Sequence, residues 1–109
     1  MGLSNLLQNI GFTDKEAQIY LVLLELNEAL PSTISRKSGV KRPTTYVVLE
    51  QLEKKGVVSH VRRNKNLFFR ASNPNFLFED QKRRFESLKN ALPELISLNK
   101  TYESTPQMS

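Results

Sequence analysis

A mainly α fold with one small β hairpin is what this sequence predicts, on three observations. Residues 34–61 read as a short helix, a tight turn at Ser38-Gly39-Val40, a second helix opened by Pro43, and a strand that enters a basic hairpin. Apolar residues recur at i, i+3, i+4 and i+7 in both longer helical stretches before the hairpin. After Pro74, apolar residues recur at intervals of seven. The first of these arrangements is that of a winged helix-turn-helix, whose second helix enters the major groove of DNA. The third adds a long C-terminal helix suited to dimerisation.

The elements follow in order. Leu3 to Ile10 is a short apolar helix closed by Gly11. Thr13-Asp14-Lys15-Glu16 forms a capping box, so a helix starts there and runs to about Asn27. Ala17, Tyr20, Leu21 and Leu24 make one stripe on it, and Ile19, Leu23 and Leu26 a second. A helix apolar on two sides needs cover on two sides, from the core and from either the N-terminal helix or another subunit. Glu28 to Leu30 reads as a connector. Pro31 opens the short helix that carries Ile34 inward, Gly39 supplies a left-handed turn, and Val40 plugs it. Thr45, Val48, Leu49 and Leu52 are the buried stripe of the helix from Pro43 to Lys55. Val57–Arg62 and Leu67–Ala71 are β-rich runs joined by Arg63-Asn64-Lys65-Asn66, the wing.

The last helix is expected from Pro74 to about Tyr102. Phe78, Phe85 and Leu92 form one heptad series, and Leu88 and Leu95 the other, with Gln81 in the same seam. Pro93 should bend this helix or start a new one. Three parts are expected: a winged helix-turn-helix over residues 1–72, a coiled-coil-like dimerisation helix over 73–102, and a flexible tail over 103–109.

Composition bounds the chemistry. With 109 residues the chain is long enough for one domain and an appended element. It has no cysteine and a single histidine, His60, which excludes disulfides, thiolate metal sites, Cys nucleophiles and His-built clusters. No Ser-His-Asp set, catalytic carboxylate pair or Gly-rich phosphate loop is present, so no enzyme, cofactor or metal is expected. No apolar run reaches membrane-span length. The N-terminus MGLSNLLQNIG has no basic segment before its apolar part, so it does not read as a secretory signal, and a cytoplasmic location is expected.

Charge is the strongest functional signal. Residues 36–70 hold ten Lys/Arg against Glu50 and Glu53, a balance of +8, while the whole chain carries +5. The excess lies on the turn, the second helix and the hairpin, where a polyanion would be held. At the helix start, Arg42 can reach guanine bidentately and Thr44 can bond a base edge or a phosphate. Val47 could meet a thymine methyl or pack under the wing. Tyr46 could offer its hydroxyl to a phosphate or sit half-buried at the core edge. Arg36, Lys41 and Gln51 complete the candidate DNA-binding set on the helices. Arg62, Arg63 and Lys65 crowd the wing tip, which suits backbone or minor-groove contact. Lys54 and Lys55 read as complements to the helix dipole, and His60 as a surface residue.

Two longer motifs carry a resemblance. Gly11-Phe12-Thr13-Asp14-Lys15-Glu16-Ala17-Gln18-Ile19-Tyr20 is similar to the opening pattern of TrmB-family regulators, archaeal and bacterial sugar-related transcription factors. Ser38-Gly39-Val40, the run Thr45-Tyr46 to Val58 and Leu92-Pro93-Glu94-Leu95 fit the same family. The resemblance covers roughly residues 3–98 and implies a sequence-specific, dimeric, double-stranded DNA-binding transcriptional regulator. Family members usually carry a sugar-binding C-terminal effector domain. This sequence stops after its last helix, with no identifiable effector site, as expected of either a short, DNA-binding-only form or a piece of a longer protein. Two other functions fit the fold: a winged helix used for protein contact, and a non-specific DNA- or RNA-binding chromatin-type protein.

Overall fold

The computed structural model describes residues 2–99. It contains helices α1 (Leu3–Asn9), α2 (Asp14–Leu26), α3 (Pro31–Ser38), α4 (Arg42–Lys54) and α5 (Pro74–Leu98), with strands β1 (Glu28–Ala29), β2 (Val58–Arg63) and β3 (Asn66–Ala71). The strands form one antiparallel sheet in the order β1-β3-β2. These are the elements of a winged helix-turn-helix with a further helix. The chain divides into two compact units, one ending at Leu77 and the other beginning at Phe78.

In the first unit, Thr13 caps α2 as expected. Its hydroxyl accepts from the Glu16 N–H at 3.1 Å, and the Glu16 carboxylate accepts from the Thr13 N–H at 2.9 Å. Such a cap contributes about 1 kcal/mol. Ile19 and Leu23 are fully buried. The cover for the other side of α2 comes partly from α1, through buried Leu7, and from Phe12, whose ring meets Tyr20 edge-on at 5.3 Å. Burial pushes the Tyr20 hydroxyl above its ordinary pKa.

The helix-turn-helix is held by its own polar groups. Gly39 takes φ +78°, the left-handed conformation that lacks a penalty only without a Cβ. Val40 is buried beneath the turn. The fully buried Thr45 hydroxyl lies 3.2 Å from the Val40 carbonyl and 3.0 Å from that of Lys41, tying the turn to α4. Val48, Leu49 and Leu52 are buried beside Thr45, so the whole expected stripe is inward. Burying each of the larger apolar side chains contributes about 1.5–3 kcal/mol.

Four expectations need correction. The connector at residues 28–30 contains β1, which pairs Glu28 with Arg70 and Ala29 with Phe69. The wing turn is shorter than expected, because Arg63 pairs with Asn66 and only Asn64 and Lys65 lie between them. Both take positive φ, 51° and 71°, the primed turn whose twist matches that of the strands. α4 begins at Arg42, with Pro43 inside the first turn. α5 (Pro74–Leu98) continues through Pro93, so no new helix starts there. A proline inside a helix removes one hydrogen bond, and the helical turns on both sides persist here. The expected extension to Tyr102 and the tail lie outside the described residues.

The turn chemistry sets a testable cost. Thr45→Val keeps the shape and strips the hydroxyl from the buried Val40 carbonyl and the part-buried Lys41 carbonyl, at about 1–3 kcal/mol. Gly39→Ala forces a Cβ into a left-handed residue, at about 1–2 kcal/mol. Thermal melts followed by circular dichroism should show each variant down by roughly 4–8 °C per kcal/mol. An unchanged midpoint for both would show that this turn does not hold α4.

Candidate nucleic-acid interface

Burial of one side of α4 decides what its other sides offer. At 100° per residue, Pro43, Val47, Glu50 and Lys54 lie opposite the buried stripe, and all four are exposed. Val47 is 52% exposed, so it does not pack under the wing. Arg42 and Tyr46 lie on the flank toward the wing, and Tyr46 is 49% exposed. Thr44 is partly buried and Gln51 exposed on the other flank. Lys41 is the exposed N-cap residue of α4, and Arg36 is exposed in the last turn of α3.

A cleft of about 400 Å³ opens between the starts of α3 and α4 and the wing. It brings together Arg42, Tyr46, Arg62 and Lys65, with Ser32 and Asn66 at its margins. No acidic residue lines it among the described residues. Three cations, a phenol and a hydroxyl around one concavity are a donor set for phosphate oxygens. Farther along α4 the groove changes character. A second recess of about 270 Å³ is walled by Tyr46, Glu50, Glu53, His60, Leu67 and Phe69. There His60 Nδ1 pairs with the Glu53 carboxylate, and its ring lies tilted 5.7 Å from that of Phe69. A polyanion is therefore favoured at the N-terminal end of α4 and disfavoured beside Glu50 and Glu53.

The wing cations separate by strand parity. Arg62 pairs across with Leu67, and His60 with Phe69, so these four share the face toward α4. Arg63 belongs to the opposite face. It forms an ion pair with Glu28 of β1, and its guanidinium stands 4.9 Å over the Phe68 ring. Lys55 is likewise committed inward. Its ammonium is 3.5 Å from the Gly11 carbonyl, 3.8 Å from the buried Glu16 carboxylate and 5.7 Å from the centre of the Phe12 ring. It ties the end of α4 to the α1–α2 turn, which is more than a dipole complement.

Sequence reasoning brought Arg42, Tyr46, Arg62 and Lys65 forward, and the structure collects them in one cleft. It missed Ser32 and Asn66 as cleft residues, and Pro43 and Glu50 on the outward face. The same helical wheel that located the buried stripe contained the signal for the last two. Among the described residues, no group of three or more His, Asp or Glu could hold a metal. No described helix is long and apolar enough to cross a membrane.

Residues 7–75 match the family model described as sugar-specific transcriptional regulator TrmB. The chain belongs to the TrmB family. It is 40% identical over 58 residues to the uncharacterized protein YrhO of Bacillus subtilis strain 168, a match spanning 51% of this chain and 21% of that protein. It resembles the solved structure of TrmBL2, an archaeal chromatin protein described as showing a novel mode of DNA binding. That match has 30% identity and a TM-score of 0.60, covering 88% of this chain and 40% of that one. The fold is also shared with the homodimeric winged helix-turn-helix DNA-binding domain Mb0332 of Mycobacterium bovis, at 19% identity and a TM-score of 0.53, covering 85% and 81% of the two chains. The chain thus spans about a fifth of YrhO and two fifths of TrmBL2. Family and fold are those of DNA-binding transcriptional regulators.

Proposed function

We propose that this TrmB-family chain is a sequence-specific, dimeric regulator that binds double-stranded DNA. The observation that carries the reading is the acid-free basic cleft at the start of α4. Arg42 reads base edges from the cleft, Thr44 and Gln51 reach DNA from the other flank of α4, Tyr46 and Val47 contact the groove wall, and Arg36 and Lys41 lie beside the helix start. Arg62 and Lys65 hold the backbone or minor groove from the wing. Helix dipole and side-chain charge act in the same direction at this end of α4.

A second reading has specific support. The outward face of α4 presents Pro43, Val47 and Glu50, none of which donates a side-chain hydrogen bond to a base edge. TrmBL2 is a chromatin protein. Sequence-tolerant DNA coating would use the same cleft with little base readout. Selection from a random duplex pool separates the two: a regulator enriches a defined motif, a coating protein enriches none. If a motif appears, Arg42→Ala should relax it at particular base pairs by ~1–3 kcal/mol each. A loss equal for all sequences would assign Arg42 to the backbone.

Dimerisation is proposed through α5. Phe78, Phe85, Leu88, Leu92 and Leu95 are all exposed along this helix, at 48–64%. An apolar seam of that length calls for a partner. A second copy satisfies the heptad pattern and would present two recognition helices to half-sites about one DNA turn apart. Mb0332, with the same fold, is homodimeric. Asp80 pairs with Arg84 at 2.9 Å and Arg83 at 3.0 Å, and the Arg84 hydrogen bond foremost holds its carboxyl below the usual range. The small helix support from this pair is present above the ordinary Asp pKa and fades as pH falls through the depressed one. Sedimentation at tens of micromolar should show the parent as a dimer and a Phe85→Glu/Leu92→Glu variant as a monomer with weakened DNA affinity. A parent that sediments as a monomer would overturn the α5 dimer.

A further inference from the structure

We propose that Glu28 is a positioning residue for the wing: it holds Arg63 away from DNA, so that each protomer's wing contributes only Arg62 and Lys65 to the phosphate backbone. This rests on the DNA-binding reading above and adds to it an internal competitor for one of the wing's cations.

Three observations converge. The pleat puts Arg63 on the sheet face opposite Arg62, because successive side chains alternate and Arg62, across from Leu67, faces α4. The Glu28 carboxylate, 23% exposed, ion-pairs with Arg63 and lies 3.8 Å from Arg70 Nε, so two cations flank one acid. The Arg63 guanidinium also covers the Phe68 ring, which holds the arginine by its flat face. To reach a phosphate, Arg63 would have to leave an acid and an aromatic ring and turn around the strand. Glu28 can do this only because β1 exists: its pairing with β3 brings residue 28 beside Arg70 at the base of the wing. The functional consequence is a smaller non-specific term. Each phosphate neutralised adds about 0.9 to the salt slope of binding, and a wing with one cation fewer holds every sequence less tightly by charge alone.

The test measures binding of the full chain to a 30-base-pair mixed-sequence duplex over a series of KCl concentrations. Glu28→Gln should bind more tightly at low salt and steepen the log K against log[KCl] slope by about one per protomer. Arg63→Ala should leave the slope unchanged, whereas Arg62→Ala should flatten it by about one. The double variant Glu28→Gln/Arg63→Ala should return to the parent slope. A lost ion pair that mattered only for folding would lower the melting temperature without steepening the slope. Should Glu28→Gln be poorly folded, Arg63→Ala decides alone: a flattening equal to that of Arg62→Ala overturns the inference while leaving DNA binding intact. Absence of any duplex binding by the parent overturns the DNA-binding reading itself, and this inference with it.

Discussion

Thr45, Val48, Leu49 and Leu52 pin α4 by one side, and the rotational setting they impose governs what the recognition helix can offer. Had the stripe been displaced by one residue, each side chain on α4 would have turned by about 100°. Arg42 would have left the cleft, and Val47 would have rotated out of the outward face. The buried Thr45 hydroxyl makes this setting specific, because its two carbonyl partners lie in the turn and not elsewhere in the core. Local hydrogen bonding and apolar burial therefore agree, which is the condition under which one geometry is selected over its neighbours.

The wing applies a second constraint of the same kind. A two-residue turn fixes the register of β2 against β3, and strand alternation then sorts the basic residues between two faces. Arg62 joins Arg42 and Lys65, and Arg63 joins Glu28 and Phe68. One more residue in the turn would let the register slip and exchange Arg62 for Arg63. The charge pattern that a polyanion meets is thus a consequence of backbone geometry. The gradient along α4, basic at Arg42 and acidic at Glu50 and Glu53, adds direction to it.

Much of this is legible in the sequence. The capping box at Thr13, the glycine at residue 39 and the stripe on α4 are local signals, carried within about one or two helical turns of sequence. What escaped was non-local or small. A two-residue strand has no periodicity to detect, so β1 read as a connector. The partners Arg63–Glu28 and Lys55–Glu16 are 35 and 39 positions apart, and no spacing rule joins them. The wing turn read as four residues because Asn66 is as compatible with a turn as Asn64. At the site, residue type identified the cations, and only strand parity could say which of them share a cleft. Pro93 read as an interruption because a proline costs a helix one bond, a penalty that the flanking turns of α5 absorb.

The start of α4 and the inner face of the wing are proposed to form one DNA-binding surface. Titration of the isotopically labelled protein with a mixed-sequence duplex, followed by amide chemical shifts, tests it directly. The largest changes should fall at Arg42, Thr44, Tyr46, Arg62 and Lys65, with Glu28 and Arg70 on the outer face of the sheet little affected. Changes confined to α1, α5 or that outer face would contradict the account.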